Sequence, residues 1–280
     1  MSATRRGPGR VVVAGVAIVA VTVSLALAAC GRDGGDAGPA PSETAVDGKV
    51  TVFAASSLTD AFKEIGTAFT AENPKASVTF NFAASSALAT QINEGAPADV
   101  FAAADDATYQ RVAAKGTIDA PATFATNEPV IVVPSSGSPV NAFEDLAKGG
   151  VKLVLAGPSV PIGNYSRQIL VNASTASGAG ADFGTKVLAN LKSDETNVKS
   201  VLAKIQLGEG DAGIVYTTDA AAAGNQVKAI AIPDMYNIIA EYPIGAMADS
   251  SNVAAARAFV AFVLSDAGRA ILAKYGFGSP

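Results

Sequence analysis

The chain has 280 residues, 49% of them hydrophobic, with 20 basic against 25 acidic residues, one cysteine and no histidine. Such a length can bury a substantial core, while the acidic balance argues against a nucleic-acid partner, which requires a basic face. The missing histidine removes Ser-His-Asp and Cys-His catalysis, the zincin motifs and most zinc or copper sites.

The N-terminus reads as an export signal. Arg5, Arg6 and Arg10 form a basic segment, an uncharged apolar run follows from Val11 to Ala29, and Leu27-Ala28-Ala29 stands directly before Cys30. Leu-Ala-Ala-Cys resembles a lipobox, so residues 1–29 are expected to be a signal peptide and Cys30 the lipidated first residue of the exported chain. An uncleaved transmembrane helix is the alternative. A lasting anchor takes two or more acyl chains, which a lipobox cysteine supplies. A lone cysteine leaves no disulfide and no cysteine metal site. Residues 30–48, rich in Gly, Pro, Ala, Ser and acids, read as a flexible tether. Without the signal, 17 of the 20 basic residues face all 25 acids, a balance of −8. An anion bound here must therefore be held by local donors rather than by net charge.

From Lys49 strands and helices alternate. Val50–Ala54 is a β-rich run, and Leu58–Ala71 carries Leu58, Ala61, Phe62, Ile65, Ala68 and Phe69 at helical spacing before Pro74. Ala76–Phe82 alternates as a strand, Ser85-Ser86 opens a helix through Ile92, and Val100–Ala102 is a third strand. Asp105-Asp106 and Asp194-Glu195 are expected to be acidic helix starts, not a paired-carboxylate site. The pattern repeats with strands at Val130–Val133, Leu153–Ala156, Gly213–Tyr216, Val227–Ile232 and Tyr242–Ala246. The helices between and after them are Phe143–Lys148, from Asn164, from Val198, Val253–Leu264 and Ala267–Lys274. Alternation of this kind argues for mostly parallel α/β sheets, and about 230 residues of it for two lobes.

Catalytic motifs are scarce. Neither Gly-x-Ser-x-Gly nor Ser-x-x-Lys occurs. Gly208, Gly210 and Gly213 form a Gly-x-Gly-x-x-Gly, but it precedes a strand, where a dinucleotide site needs it after one; it reads as a turn. The chain does have neutral donors where strands turn into helices: Ser56-Ser57, Ser85-Ser86, Ile162-Gly163 after Pro161, and Asn197-Val198. Helix N-termini expose unpaired N–H groups and partial positive charge, so several aimed at one point would make an anion site. The bland alternative is that these serines are ordinary N-caps.

Five strings carry a resemblance: Val52-Phe53-Ala54-Ala55-Ser56-Ser57-Leu58-Thr59, Phe82-Ala83-Ala84-Ser85-Ser86-Ala87-Leu88, Gly95-Ala96-Pro97-Ala98-Asp99-Val100-Phe101, Val160-Pro161-Ile162-Gly163-Asn164-Tyr165 and Gly213-Ile214-Val215-Tyr216. In this order the chain resembles the molybdate-binding lipoproteins and periplasmic proteins of ABC importers, over roughly Lys49 to Phe277. The resemblance implies an α/β, two-lobe periplasmic-binding-protein-like fold of type II with two strands crossing between lobes. Lobe I would span 49–128 plus 240–280 and lobe II 129–239.

It also implies the ligand set. Ser57 and Ser85 would offer hydroxyl and backbone N–H from lobe I, Ile162 and Val198 backbone N–H from lobe II, and Tyr216 its hydroxyl. Ile162 stands where many relatives carry smaller Ala or Val, which puts cavity size in question. The implied ligand is molybdate or tungstate, held through its oxygens without direct metal ligands. No cofactor and no enzymatic activity are expected. The implied partners are an importer permease and, through Cys30, the outer face of the cytoplasmic membrane; the protein is expected to be a monomer. Sulfate or another oxyanion on the same scaffold, or an exported carboxylate-based hydrolase, are the competing readings.

Overall fold

The computed structural model describes residues 46–176 and 178–280; the expectations for residues 1–45, Cys30 among them, lie outside the described residues. Two five-stranded sheets organise the compact unit Thr44–Pro280. The first uses β1 (Asp47–Ala55), β2 (Lys75–Ala83), β3 (Val100–Ala102), β4 (Ala122–Asn127) and β10 (Ala240–Ala246), in the order β2-β1-β3-β10-β4. The second uses β5 (Pro129–Pro134), β6 (Leu153–Ala156), β7 (Leu191–Glu195), β8 (Ala212–Tyr216) and β9 (Val227–Ile230), in the order β7-β6-β8-β5-β9.

Helices cover both. The first sheet carries α1 (Thr59–Glu72), α2 (Ser85–Asn93), α3 (Asp106–Ala113), α8 (Val253–Leu264) and α9 (Asp266–Lys274). Along the second run α4 (Pro161–Thr175), α5 (Phe183–Ala189), α6 (Val198–Gln206) and α7 (Thr217–Ala223). The chain crosses between the sheets at Glu128, from β4 to β5, and again between β9 and β10.

Each sheet is mostly parallel, as expected, with one reversed strand that makes it mixed. β1 pairs in parallel with β2 and β3, and β6 with β7 and β8; β10 and β5 run antiparallel to both of their neighbours. The crossover connections explain this. A strand arriving from the other lobe enters its sheet from the opposite end to strands that return over a helix of their own lobe.

The apolar face of α1 buries Ala61, Phe62, Ile65 and Phe69 against the first sheet. Phe62 meets Phe124 at 5.6 Å and Phe69 meets Phe259 at 5.4 Å between ring centroids, tilted or edge-on as their quadrupoles favour. Under the second sheet Phe143 packs on Phe183 at 4.9 Å.

Several boundaries move. Asp47 and Gly48, read as tether, pair with Lys75 and Ala76 in β1. Asp194-Glu195 ends β7 instead of starting a helix, and its acids are matched by Arg167 and, at 2.7 Å, Lys204. α4 starts at Pro161, three residues before Asn164, because proline is pre-set for the first helical position. β4, β7, α5 and α7 escaped the sequence reading. β7 is half-exposed at a sheet edge and polar in sequence, so it lacks an apolar signature. Gly208 takes a positive φ of 74° in the turn before β8, as the turn reading of the glycine motif requires.

Candidate functional site

Four helix starts converge between the sheets. Ala55, Ser56, Ser57, Ala84, Ser85, Ala104, Val160, Pro161, Ile162, Val198 and Tyr216 line a cavity that leaves about 10 Å³ for the centre of a water-sized sphere. All five residues proposed from the sequence line it. Ser86 does not; it faces the adjoining cleft beside Thr90 and Arg111. Organic ligands take pockets of about 300–1,000 Å³, so this one admits a small ligand at most.

The serines are not N-caps. Ser56–Leu58 is a 3-10 turn leading into α1, capped by Ala55, and Ser85 is the first residue of α2, capped by Ala84. Val160 occupies the same position for α4. None of these three caps offers a side-chain acceptor. By contrast α3 and α9 are capped by Asp105 and Ser265, whose side chains accept from Thr108 and Gly268 N–H. Every helix begins with N–H groups that lack an intrahelical acceptor, and Ala and Val are poor caps. The helix ends at the cavity are thus left free to donate inward. In α6, Asn197 Oδ1 takes the Ser200 N–H at 3.0 Å, two residues beyond Val198.

Both serine hydroxyls have a buried partner, and that of Ser85 is turned toward donation. Ala104 N–H donates to Ser85 Oγ at 3.0 Å, which engages the oxygen as acceptor and leaves its proton for another partner. Ser57 Oγ lies 3.0 Å from the Tyr242 hydroxyl in a fully buried contact. The Tyr216 hydroxyl is buried and has no hydrogen-bond partner among the described residues. A buried unpaired hydroxyl is costly and calls for a reason; an acceptor bound in the cavity supplies one. Burial foremost, then the neighbouring Tyr242, Tyr165 and Asp105, pushes its pKa well up, so it remains a protonated donor.

Gly163 explains how α4 comes so close. A Cβ there would overlap Gly157 O and Ala156 O at the end of β6, so only glycine lets this helix start rest on the strand. Ile162, 1% exposed, shares its side chain between the cavity wall and the apolar core. No Lys or Arg lines the cavity. Lys199, next to Val198, is occupied by Asp219 at 3.2 Å and by Asp60 on α1 at 3.3 Å, the latter across the two lobes. Arg167 spends its guanidinium on Ala156 O and Gly163 O, each at 2.9 Å, and on Asp194. Charge at the site therefore comes from helix dipoles and N–H groups.

Tyr242 and Asn127 were missed as site residues. Tyr242 had appeared only as part of a strand, and Asn127 belongs to an unread one. Nothing local in the sequence distinguishes a strand tyrosine that reaches Ser57 across 185 positions. Among the described residues there is no group of three or more His, Cys, Asp or Glu able to hold a metal ion, and no helix is long and apolar enough to cross a membrane.

Residues 50–278 match the family model described as bacterial extracellular solute-binding protein. The molybdate-binding protein of Mycobacterium tuberculosis is 39% identical over 267 residues, covering 94% of this chain and 97% of that protein. Among solved structures, the periplasmic molybdate-binding protein of Azotobacter vinelandii superposes with a TM-score of 0.72 at 19% identity, over 82% of this chain and 99% of that one. The sulfate-binding protein of Mycobacterium tuberculosis gives the same TM-score at 20% identity, over 82% and 86%. The fold alone is thus common to proteins of different oxyanions.

Proposed function

This chain belongs to the bacterial extracellular solute-binding proteins, and from that premise we propose that it captures molybdate or tungstate and hands it to an ABC importer. The observation that carries the reading is the cavity itself: Ser57, Ser85, Ile162, Val198 and Tyr216 around one small space, with uncapped helix starts and a buried hydroxyl that has no partner among the described residues. Hydrogen bonds to a charged acceptor contribute about 1.5–3 kcal/mol each, more reliably where lobe closure excludes water. The relatedness to the molybdate-binding protein of Mycobacterium tuberculosis supports this ligand over others. The oxyanion is a cargo, and its metal is reached only through its oxygens.

A thermal-shift series on the chain from Thr44 tests the reading. Molybdate and tungstate are expected to raise the melting temperature strongly, by the equivalent of about 2.7 kcal/mol at a hundredfold excess over Kd. Sulfate, being smaller, should act weakly. Phosphate should also act weakly, because it is partly protonated at neutral pH and this cage presents donors where its proton needs an acceptor. Equal shifts for all four anions would rule out a size- and proton-selective cage.

The same reading places the protein outside the cytoplasmic membrane, held there by lipid on Cys30. What supports it is the basic segment, the apolar run and the Leu-Ala-Ala-Cys string. Cys30→Ala is expected to release the protein from the membrane fraction while leaving anion affinity unchanged. Retention after a carbonate wash would favour an uncleaved helix instead.

A further inference from the structure

Behind Ser57 lies a buried chain of polar groups that runs to the crossover between the lobes. The Tyr242 hydroxyl, on a side chain with no exposure, sits 3.0 Å from Ser57 Oγ, and Asn127 Nδ2 approaches the same hydroxyl at 3.5 Å. Asn127 is itself 3% exposed and ends β4 at the crossover. Its Oδ1 accepts from Glu128 N–H at 3.0 Å and from Thr217 Oγ1 at 2.9 Å, while its Nδ2 donates to Thr218 Oγ1 at 2.8 Å.

The direction of this chain can be worked out. A backbone N–H can only donate, so the atom facing Glu128 N–H is the amide oxygen and the one facing Tyr242 is the NH₂. A tyrosine hydroxyl has one proton. Its oxygen can accept the amide N–H, and the only acceptor within hydrogen-bond distance of its own proton among the described residues is Ser57 Oγ, so a satisfied Tyr242 donates to Ser57. Ser57 then accepts from behind, and its own proton is the one free to point into the cavity.

Resting on the oxyanion reading of the cavity, we propose that Tyr242, oriented by Asn127, is a positioning residue that aims the Ser57 hydroxyl proton at the bound anion. Without this relay the Ser57–Tyr242 pair could equally run the other way, with Ser57 donating backward and its lone pairs facing a dianion. The relay also ties the site to lobe II, because Thr217 and Thr218 at the start of α7 hold the Asn127 amide from that side.

A double-mutant cycle tests the relay, using full-length protein in detergent titrated calorimetrically with sodium molybdate. Tyr242→Phe is expected to raise Kd about tenfold in the parent chain. In the Ser57→Ala background it should raise Kd less than twofold, because there is no longer a hydroxyl to aim. A purely structural tyrosine would give the same factor in both backgrounds, which would overturn the relay. Asn127→Asp keeps the acceptor toward Glu128 but puts a second acceptor before Tyr242. The chain then inverts, and Kd should rise about a hundredfold in the parent and clearly less with Ser57→Ala. A loss undiminished in that background is charge repulsion alone and counts against the proposal. Parent protein that binds no molybdate would sink the reading of the cavity, and the relay with it; normal parent binding with additive losses would sink the relay only.

Discussion

Ser57→Asp is expected to abolish molybdate binding while leaving the fold intact. The position is 7% exposed and lines the cavity beside three other helix starts. A carboxylate there repels each unit of ligand charge by about 4 kcal/mol at 4 Å for an effective dielectric constant near 20. For a dianion that exceeds a thousandfold in affinity. The new carboxylate would itself accept from the Tyr242 hydroxyl and the inward N–H groups, so it would occupy the cage as an internal anion. Melting without ligand should hold or rise. Ser57→Ala removes one hydroxyl donor but keeps the N–H groups and dipoles, a loss of about 1.5–3 kcal/mol. Calorimetry giving normal affinity in the aspartate variant would place the ligand elsewhere.

Lys199→Met is expected to cost about 3 kcal/mol of stability at neutral pH, which for a domain of this size is a fall of roughly 6–12 °C in melting temperature. Asp219 is the reason. Its side chain has no exposure, and Lys199 Nζ stands 3.2 Å from its carboxylate. Burial already pushes the Asp219 pKa up, against the opposing pull of Lys199. Breaking a buried pair typically costs about 3–5 kcal/mol, and the low end applies because Lys199 is 31% exposed. The sign with pH follows from the raised pKa. An aspartate that holds its proton more tightly folded than unfolded contributes most at low pH, and that contribution is lost as the pH rises from the unfolded value through the folded one. Removing Lys199 raises the folded value further, so the variant should regain stability on acidification more steeply than the parent. Asp219→Asn in the same chain should restore most of the loss at neutral pH. A Lys199→Met melting curve identical to the parent's at pH 7 would show that Asp219 has another counter-charge.

Much of this protein was legible in its sequence. Strands such as Leu153–Ala156 and helices such as Val253–Leu264 stand where apolar period and capping put them, because both signals are local. The five cavity residues were named through the family resemblance; Ser57, Ser85, Ile162 and Val198 stand where helices begin and Tyr216 where a strand ends, and α/β topology brings such corners to one edge of a sheet. Local signals were also enough to read the Gly208 motif as a turn.

What the tertiary structure alone decided concerns pairings distant in sequence. The reversed direction of β5 and β10 follows from crossing between lobes, which no residue period encodes. β7 and β4 were hidden for the same reason, since an edge strand is held by a partner rather than by its own apolarity. That Ser57 and Ser85 are not N-caps, and which buried partner each oxygen meets, depended on the residues that fold up behind them: Ala104 for Ser85, Tyr242 for Ser57. A hydroxyl can donate or accept, and its direction is set by the fixed donors around it. The partners of Ser85 and Ser57 come from positions 19 and 185 residues away, so only the folded chain could orient these hydroxyls.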